Sequence, residues 1–320
     1  MKETANYYKA FGFTIKSSIA LPELKSMPSS LDTVDIEIEF GNLTEAWNSV
    51  STPSNRFFVS KQQIMFHLAH IAIYSIENGN KIIVSPMEGT EESQLRLYIL
   101  GSCMGAILMQ RKVFPLHGSA IAIDGKAYAI VGHSGAGKST LASAFIEEGY
   151  DLLTDDIIPL TFSKVLGKPS VIPTYPQQKL WQESLAHFGH DSSNYKPLIN
   201  RKTKFAVPVT NQFSDKPLPL AGIFELVKTK EDHITLIPIQ KLDRLQTIFN
   251  HTYRNNFIDG MNLREWHFQS AVKVINHVDV FQLRRPGLGF SVGELVDCVF
   301  EINDRKKEKC IEGLITYNYM

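Results

Sequence analysis

An α/β fold, with a phosphate-loop core of mixed sheet and helices preceded by a smaller β-rich region, follows from three features of this 320-residue chain. First, Gly132-His133-Ser134-Gly135-Ala136-Gly137-Lys138-Ser139 satisfies the pattern G-x-x-x-x-G-K-[ST]. Second, the β-type run "KAYAIVG" leads into that loop and "TLASAFIEEG", Thr140 to Gly149, leaves it with apolar residues at helical spacing and a helix-stopping glycine. Third, residues 1–88 alternate or are β-branched at "FGFTIKSSIAL", "VDIEIEF", "QIMFHLAHIAIYSI" and "KIIVS". Two regions are therefore expected, a β-rich one over 1–88 and a nucleotide-binding one over 89–320.

Taken in order, the last two early strands are joined by Glu77-Asn78-Gly79-Asn80, a hairpin signal, while "KSMPSSLD" and "STPSN" read as loops. Thr90, followed by Glu91 and Glu92, predicts an N-cap and a helix running to about Gln110 that bridges the two regions. Its core, "LYILGSCMGAILM", is shorter than a bilayer-spanning helix needs and is flanked by Arg96, Arg111 and Lys112, which predicts a buried helix of a soluble protein. Next, "GSAIAID" and "KAYAIVG" form a hairpin around Asp124-Gly125. After the loop and its helix, "YDLLTDD" predicts a strand that ends in Asp155 and Asp156. Further strands are expected at "IIPLTF", "PSVIP", "LAGIFELVK" and "HITLIPI". Helices are expected at "PQQKLWQESLAHFG" with Pro176 near its start, and at "KLDRLQTIFNHTYR", "NLREWHFQSAVKVINH" and "SVGELVDCVFEIND".

Composition narrows the class. Lys plus Arg and Asp plus Glu are equal at 33 each, so the overall charge points to neither a nucleic-acid nor a membrane partner. Cys103, Cys298 and Cys310 are too few and too scattered for a disulfide framework or a zinc site, and all three read as reduced thiols. The N-terminal "MKETANYYKAFGF" lacks the apolar core of a signal peptide, so a cytoplasmic protein is expected. The sequence leaves the oligomeric state open, a homo-oligomer included.

Each fixed position of the loop has a physical task. The glycines allow a tight turn whose N–H groups converge on phosphate oxygens, at the positive end of the helix that follows. Lys138 can neutralise the β and γ phosphates of ATP, and Ser139 can offer a hydroxyl to Mg²⁺. The expected nucleotide site is Gly132, His133, Ser134, Gly135, Ala136, Gly137, Lys138, Ser139 and Thr140. An isolated Asp-Asp pair is more often a turn or a cap. After this loop, one carboxylate of Asp155 and Asp156 suffices as the candidate Mg²⁺ ligand, and the adjacent one is free to accept a proton from an incoming hydroxyl.

The stretch Leu116 to Leu160 resembles the catalytic core of bacterial HPr kinase/phosphorylase, a fold related to phosphoenolpyruvate carboxykinase and distinct from eukaryotic protein kinases. A His-Gly pair ahead of the hairpin, a loop reading "GHSGAGKS", a glycine closing the helix and paired aspartates all occur here at matching spacing. The resemblance implies that Asp156 is the proton acceptor toward a serine hydroxyl and His117 the active-site histidine. The Glu-containing motif that follows the aspartates in that family has no clear counterpart; the region reads "TYPQQKLWQES", with Glu183 the nearest candidate. The layout, and "AFGFTIKSSIALPEL" in particular, is similar to stand-alone homologues in peptide-modification clusters, which phosphorylate the C-terminal serine of lasso-peptide precursors. A peptide substrate, ATP and Mg²⁺ are thereby expected, with Arg201, Lys204, Arg254, Arg284 and Arg285 as candidates to grip phosphate or a substrate carboxylate; an HPr-type or small-molecule serine kinase/phosphorylase and a non-catalytic nucleotide-sensing module are the alternatives.

Overall fold

The computed structural model describes residues 5–28, 33–52, 55–198, 201–287 and 292–302, the side chains of 201 and 202 excepted. Its first region is an eight-stranded sheet. The strands are β1 (Asn6–Ala10), β2 (Phe13–Ser17), β3 (Lys25–Met27), β4 (Ile36–Phe40), β5 (Phe57–Val59), β6 (Gln63–Leu68), β7 (Ala72–Glu77) and β8 (Lys81–Pro86), in the order β3-β1-β2-β4-β8-β7-β6-β5. Asn78 and Gly79 turn the chain between β7 and β8 with φ of 51° and 71°, the conformation an Asn-Gly hairpin favours. Helix α1 (Thr44–Val50) lays Trp47 on one face against Met65 and Ile73, while Tyr74 and Ile76 face the opposite core. Covered on both sides, β7 loses the polar alternation of a half-exposed strand.

The opposite core is supplied by the bridging helix. It comprises α2 (Glu92–Tyr98), a π-type turn over Ile99–Cys103 and α3 (Met104–Gln110). Residues 99–109 are all buried, as the apolar run predicts. The expected N-cap moves by one residue. Glu91 holds the cap position and makes no side-chain cap bond, because the Thr90 hydroxyl donates instead to the Ile71 carbonyl at 2.8 Å. Among the described residues no helix is long and apolar enough to cross a membrane.

The second region is built on β9 (Phe114–Ile123), β10 (Lys126–Val131), β11 (Asp151–Phe162), β12 (Pro169–Val171), β16 (Leu218–Thr229), β17 (Thr235–Pro238) and β18 (Asp279–Pro286), in the order β10-β9-β11-β12-β16-β18-β17. A further parallel pairing of β10 with β16 closes five of these strands into a ring. Helix α4 (Lys138–Glu147) follows the glycine loop. Helices α6 (Asp243–Asn250), α7 (Phe257–Gly260) and α8 (Arg264–His277), and a helix over 292–302, complete the region. A small third sheet has the order β13-β15-β14, from β13 (Gln177–Trp181), β14 (Lys196–Leu198) and β15 (Arg201–Pro208).

Two expectations fail here for identifiable reasons. The strand predicted to end at the paired aspartates runs on as one twelve-residue strand, β11, with Asp156 taking φ of 81° inside it. And "PQQKLWQESLAHFG" is a strand, β13, followed by the short helix α5 (Gln182–His187). Gln178, Lys179 and Leu180 are all buried, and only an extended chain serves them all. Gln178 bonds the Ser143 hydroxyl on α4 at 2.9 Å, Leu180 packs with Leu185, Phe205 and Val207, and Lys179 faces the aspartates. Cys103 is buried and Cys298 half-buried, both as free thiols, whereas Cys310 lies outside the described residues.

Candidate functional site

Strand β10 delivers the glycine loop and β9 delivers the histidine. Gly132, Gly135 and Gly137 all have positive φ, and a Cβ on Gly132 would stand 2.6 Å from the Leu226 carbonyl oxygen on β16. The turn is therefore closed to other residues. Lys138 opens α4 at 9% exposure, its Nζ donating to the His133 carbonyl at 3.2 Å, so the ammonium is folded back over the loop. Burial lowers its pKa, against the opposing pull of Asp155 and Asp156.

Strand pairing explains the His-Gly pair. In β9 and β11, His117 faces Ile157, Gly118 faces Asp156 and Ser119 faces Asp155. A Cβ on Gly118 would lie 2.1 Å from the Ile130 carbonyl oxygen, so the close approach of β9 to β10 at this point requires glycine. Asp155 is 4% exposed and fully engaged. Its Oδ1 accepts from Ser119 at 2.5 Å and from Ser139 at 3.0 Å, and its Oδ2 accepts from the Lys179 backbone N–H at 2.8 Å. Loop and strand are thus joined through a single carboxylate.

Asp156 meets different partners. Its Oδ2 receives the Lys179 ammonium at 2.6 Å, and its Oδ1 lies 3.6 Å from His117 Nδ1. Burial pushes this carboxyl up, but Lys179 and then His117 outweigh it and hold Asp156 below the usual carboxylate range. On Lys179, burial is likewise outweighed by Asp156, which keeps the ammonium charged well above its ordinary range. His117 is lowered, by burial first, so it is neutral near neutral pH. The Asp156 carbonyl, 3.0 Å from Nδ1, can only accept, which assigns the ring proton to Nδ1 and leaves Nε2 with its lone pair.

These groups line one cavity of about 660 Å³. Ser134, Gly135, Gly137, Lys138, Ser139 and Thr140 form its loop side. His133 is exposed with its ring 5.4 Å from His251, and Ala136 is buried with its carbonyl accepting from Arg285 Nε at 3.0 Å. The Thr140 hydroxyl is shared with Ser184 on α5 at 2.8 Å, and both residues line the cavity. Glu183 lines the same cavity.

The expected basic residues divide. Neighbours in β18 face opposite ways, and Arg285 therefore reaches the loop while Arg284 pairs with Gln282 and approaches Glu231 at 3.9 Å. Lys204 lines the cavity with its ammonium 5.5 Å from the centre of the Trp181 ring. Arg254 also lines it, anchored by a 2.6 Å bond to the Ser102 hydroxyl on the bridging helix, whereas the side chain of Arg201 lies outside the described residues.

Sequence reasoning missed three contributors. Lys179 was hidden by its helical reading. Ser119 was masked inside an apolar strand, although its place two residues after His117 marks it in retrospect. The segment His251–Arg254, expected to be helical, instead runs beside β9. Its His251 carbonyl accepts from the His117 N–H at 2.7 Å, and the Tyr253 ring lies 5.7 Å from His117. Gly105 of α3 makes room for Tyr253, since a Cβ there would come within 2.6 Å of the ring.

The molecule is thus a mixed α/β protein whose glycine loop, strand-borne aspartates and histidine meet in one cavity. No protein-family model matches the chain, and no curated protein matches it. Among solved structures it is similar to the HPr(Ser) kinase/phosphatase from Coxiella burnetii, at 15% identity, covering 62% of this chain and 95% of that one, with a TM-score of 0.35. That likeness is too shallow to assign an activity, so the cavity's own residues carry the functional reading.

Proposed function

We propose that this chain is an ATP-dependent, Mg²⁺-requiring serine kinase that acts on a peptide, with the C-terminal serine of a lasso-peptide precursor as its acceptor. One observation carries the reading. Two adjacent carboxylates enter the same cavity, Asp155 bonded to the loop serine and Asp156 kept off the loop beside His117. A module that only senses nucleotide needs the first and has no use for the second.

The residues fit a magnesium nucleotide. Ser139 Oγ and Asp155 Oδ1 are hard oxygen donors held 3.0 Å apart, and Ser119 and the Lys179 N–H fix the carboxylate in place. When bound, Mg²⁺ supplies charge neutralisation at the β and γ phosphates. Lys138 and the loop N–H groups hold the phosphates, and Arg285 steadies the loop through Ala136. Asp156, always ionised near neutral pH, receives the proton of the serine hydroxyl as the oxygen attacks phosphorus. Its low basicity suits a loose transition state in which that proton leaves late. His117 orients the Asp156 backbone through Nδ1 and keeps the carboxylate directed into the cavity.

The test is phosphate transfer from labelled ATP to a pool of linear peptides ending in serine, with amidated and extended versions, free serine and folded HPr in parallel. The reading expects transfer to the terminal serine, slowed by amidation or by extension of several residues. Efficient transfer to folded HPr, or indifference to the peptide terminus, returns the chain to an HPr-type kinase. ATP binding without transfer to any acceptor makes it a sensor.

A further inference from the structure

A second cavity, of about 780 Å³, opens where the first region, the bridging helix and the small third sheet meet. Among the described residues Lys179 alone lines both cavities, and its ammonium is the group that touches Asp156. The two spaces therefore meet at one residue, whose ammonium pairs with Asp156 on the first cavity's wall.

Four features of the second cavity describe its occupant. Ser93, Arg96, Leu97 and Leu100 are spaced as one face of the bridging helix and give it a mostly apolar wall, continued by Tyr175 and Phe213. Two sheet edges border it. β3, which contributes Lys25, is the last strand of the eight-stranded sheet, and β14, which contributes Lys196, Pro197 and Leu198, is the last of the three-stranded sheet. Among the described residues each pairs with a strand on one side only, so each offers backbone donors and acceptors to an extended segment laid beside it. Glu23 adds a third feature. Its Oε1 accepts from Arg96 Nε at 2.8 Å, but its buried Oε2 has no hydrogen-bond partner among the described residues. A buried carboxylate oxygen left this way is costly unless a ligand brings a donor. Finally, three of the cationic lining residues are paired, Lys25 with Asp215, Arg96 with Glu23 and Lys179 with Asp156, and Lys196 adds a fourth positive charge on β14.

We propose that this cavity is the acceptor-peptide groove. It takes the last few residues of a linear peptide in extended form, hydrogen-bonded along β3 or β14. One peptide N–H meets Glu23 Oε2, and apolar side chains rest on Leu97 and Leu100. The acceptor serine then arrives at Lys179, beside the Asp156 carboxylate that this ammonium pairs with. Free serine would leave most of the space unfilled, and a folded domain cannot thread between two sheet edges. The inference rests on the kinase reading above but is tested separately from it.

Leu198→Trp, on the β14 wall, and Leu97→Trp, on the helix wall, fill the groove from opposite sides without touching the nucleotide cavity. With the best acceptor from the C-terminal-serine pool, each variant is expected to raise the peptide KM at least about tenfold. Binding of labelled nucleotide in the same preparations reports that each variant is folded. Hydrogen exchange supplies a readout that needs no turnover, because that peptide should slow exchange at the Lys25–Met27 and Lys196–Leu198 amides of the wild type and do so less in the variants. An unchanged peptide KM in both folded variants, with transfer intact, would overturn the groove while leaving the kinase reading in place. Absence of transfer in the wild type would sink the kinase reading, and edge amides unaffected by the peptides would then overturn the groove as well.

Discussion

Lys179→Met isolates the interaction on which the site's electrostatics turn. The substitution removes an ammonium 2.6 Å from Asp156 Oδ2 and keeps an unbranched side chain in a position only 10% exposed. The backbone bond from Lys179 to Asp155 survives, since it involves the main chain. Asp156 is 24% exposed and loses the strongest of the groups that hold its carboxyl down, with His117 and Lys204 left. Breaking a buried pair by deleting one partner typically costs about 3–5 kcal/mol if the survivor stays charged. Asp156 can escape part of that cost by taking up a proton, each unit of pKa rise being worth about 1.4 kcal/mol. Burial, the largest influence on it, then acts against the weaker pull of His117 and Lys204, and the carboxyl is expected to rise from its depressed position toward its usual value of 3.8. The sign is explicit. In the wild type Asp156 is depressed, so its stabilising contribution is present above 3.8 and lost as pH falls through the folded value. Lys179 is raised, so its contribution is present below 10.5 and lost as pH rises through its folded value. The variant should therefore melt lower than wild type at neutral pH, and the gap should close at both extremes. The acid limb of its kcat/KM should move toward neutrality by about one unit or more. Thermal melting across pH and a pH–rate profile check this. An unmoved acid limb together with an unchanged neutral-pH melting temperature would refute the pairing as described.

Lys138→Ala should abolish nucleotide-dependent activity, a loss of about 10²-fold or more, while circular dichroism and melting stay close to wild type, because the lysine's bond is to its own loop. Asp155→Asn replaces one oxygen of the carboxylate shared by Ser119, Ser139 and the Lys179 N–H, and should raise the Mg²⁺ concentration needed for half-maximal activity, read by metal titration. Gly118→Ala places a methyl 2.1 Å from the Ile130 carbonyl oxygen and should cost about 1–3 kcal/mol in chemical denaturation; wild-type stability would mean that β9 and β10 do not approach as closely as described.

The local signals in this sequence were legible where chemistry and backbone coincide. Asn78-Gly79 and Asp124-Gly125 form the hairpins they predict, with positive φ at all four residues. The loop glycines and the helix after them are likewise placed as expected. What failed to show was long-range. The extended form of β13 is imposed by Ser143, Asp156 and the Leu185–Phe205–Val207 cluster, none of which a periodicity count over "QQKLWQES" can see. The paired aspartates resemble a strand end in sequence because Asp is poor in strands, yet both pair with β9, Asp155 opposite Ser119 and Asp156 opposite Gly118, and the strand continues. Arg284 and Arg285 were equivalent in sequence and are separated only by which face of β18 each occupies. Lys179, the residue that couples both cavities, carried no motif at all.

The proposed kinase chemistry turns on Asp156 accepting the proton of a serine hydroxyl during transfer from ATP. Asp156→Asn keeps the size of the side chain and removes its basicity, and the decisive comparison is single-turnover transfer of labelled phosphate to a terminal-serine peptide alongside equilibrium ATP binding. The variant should bind ATP much as wild type does and transfer phosphate at least about 10²-fold more slowly. Transfer at the wild-type rate by Asp156→Asn would place the proton acceptor elsewhere.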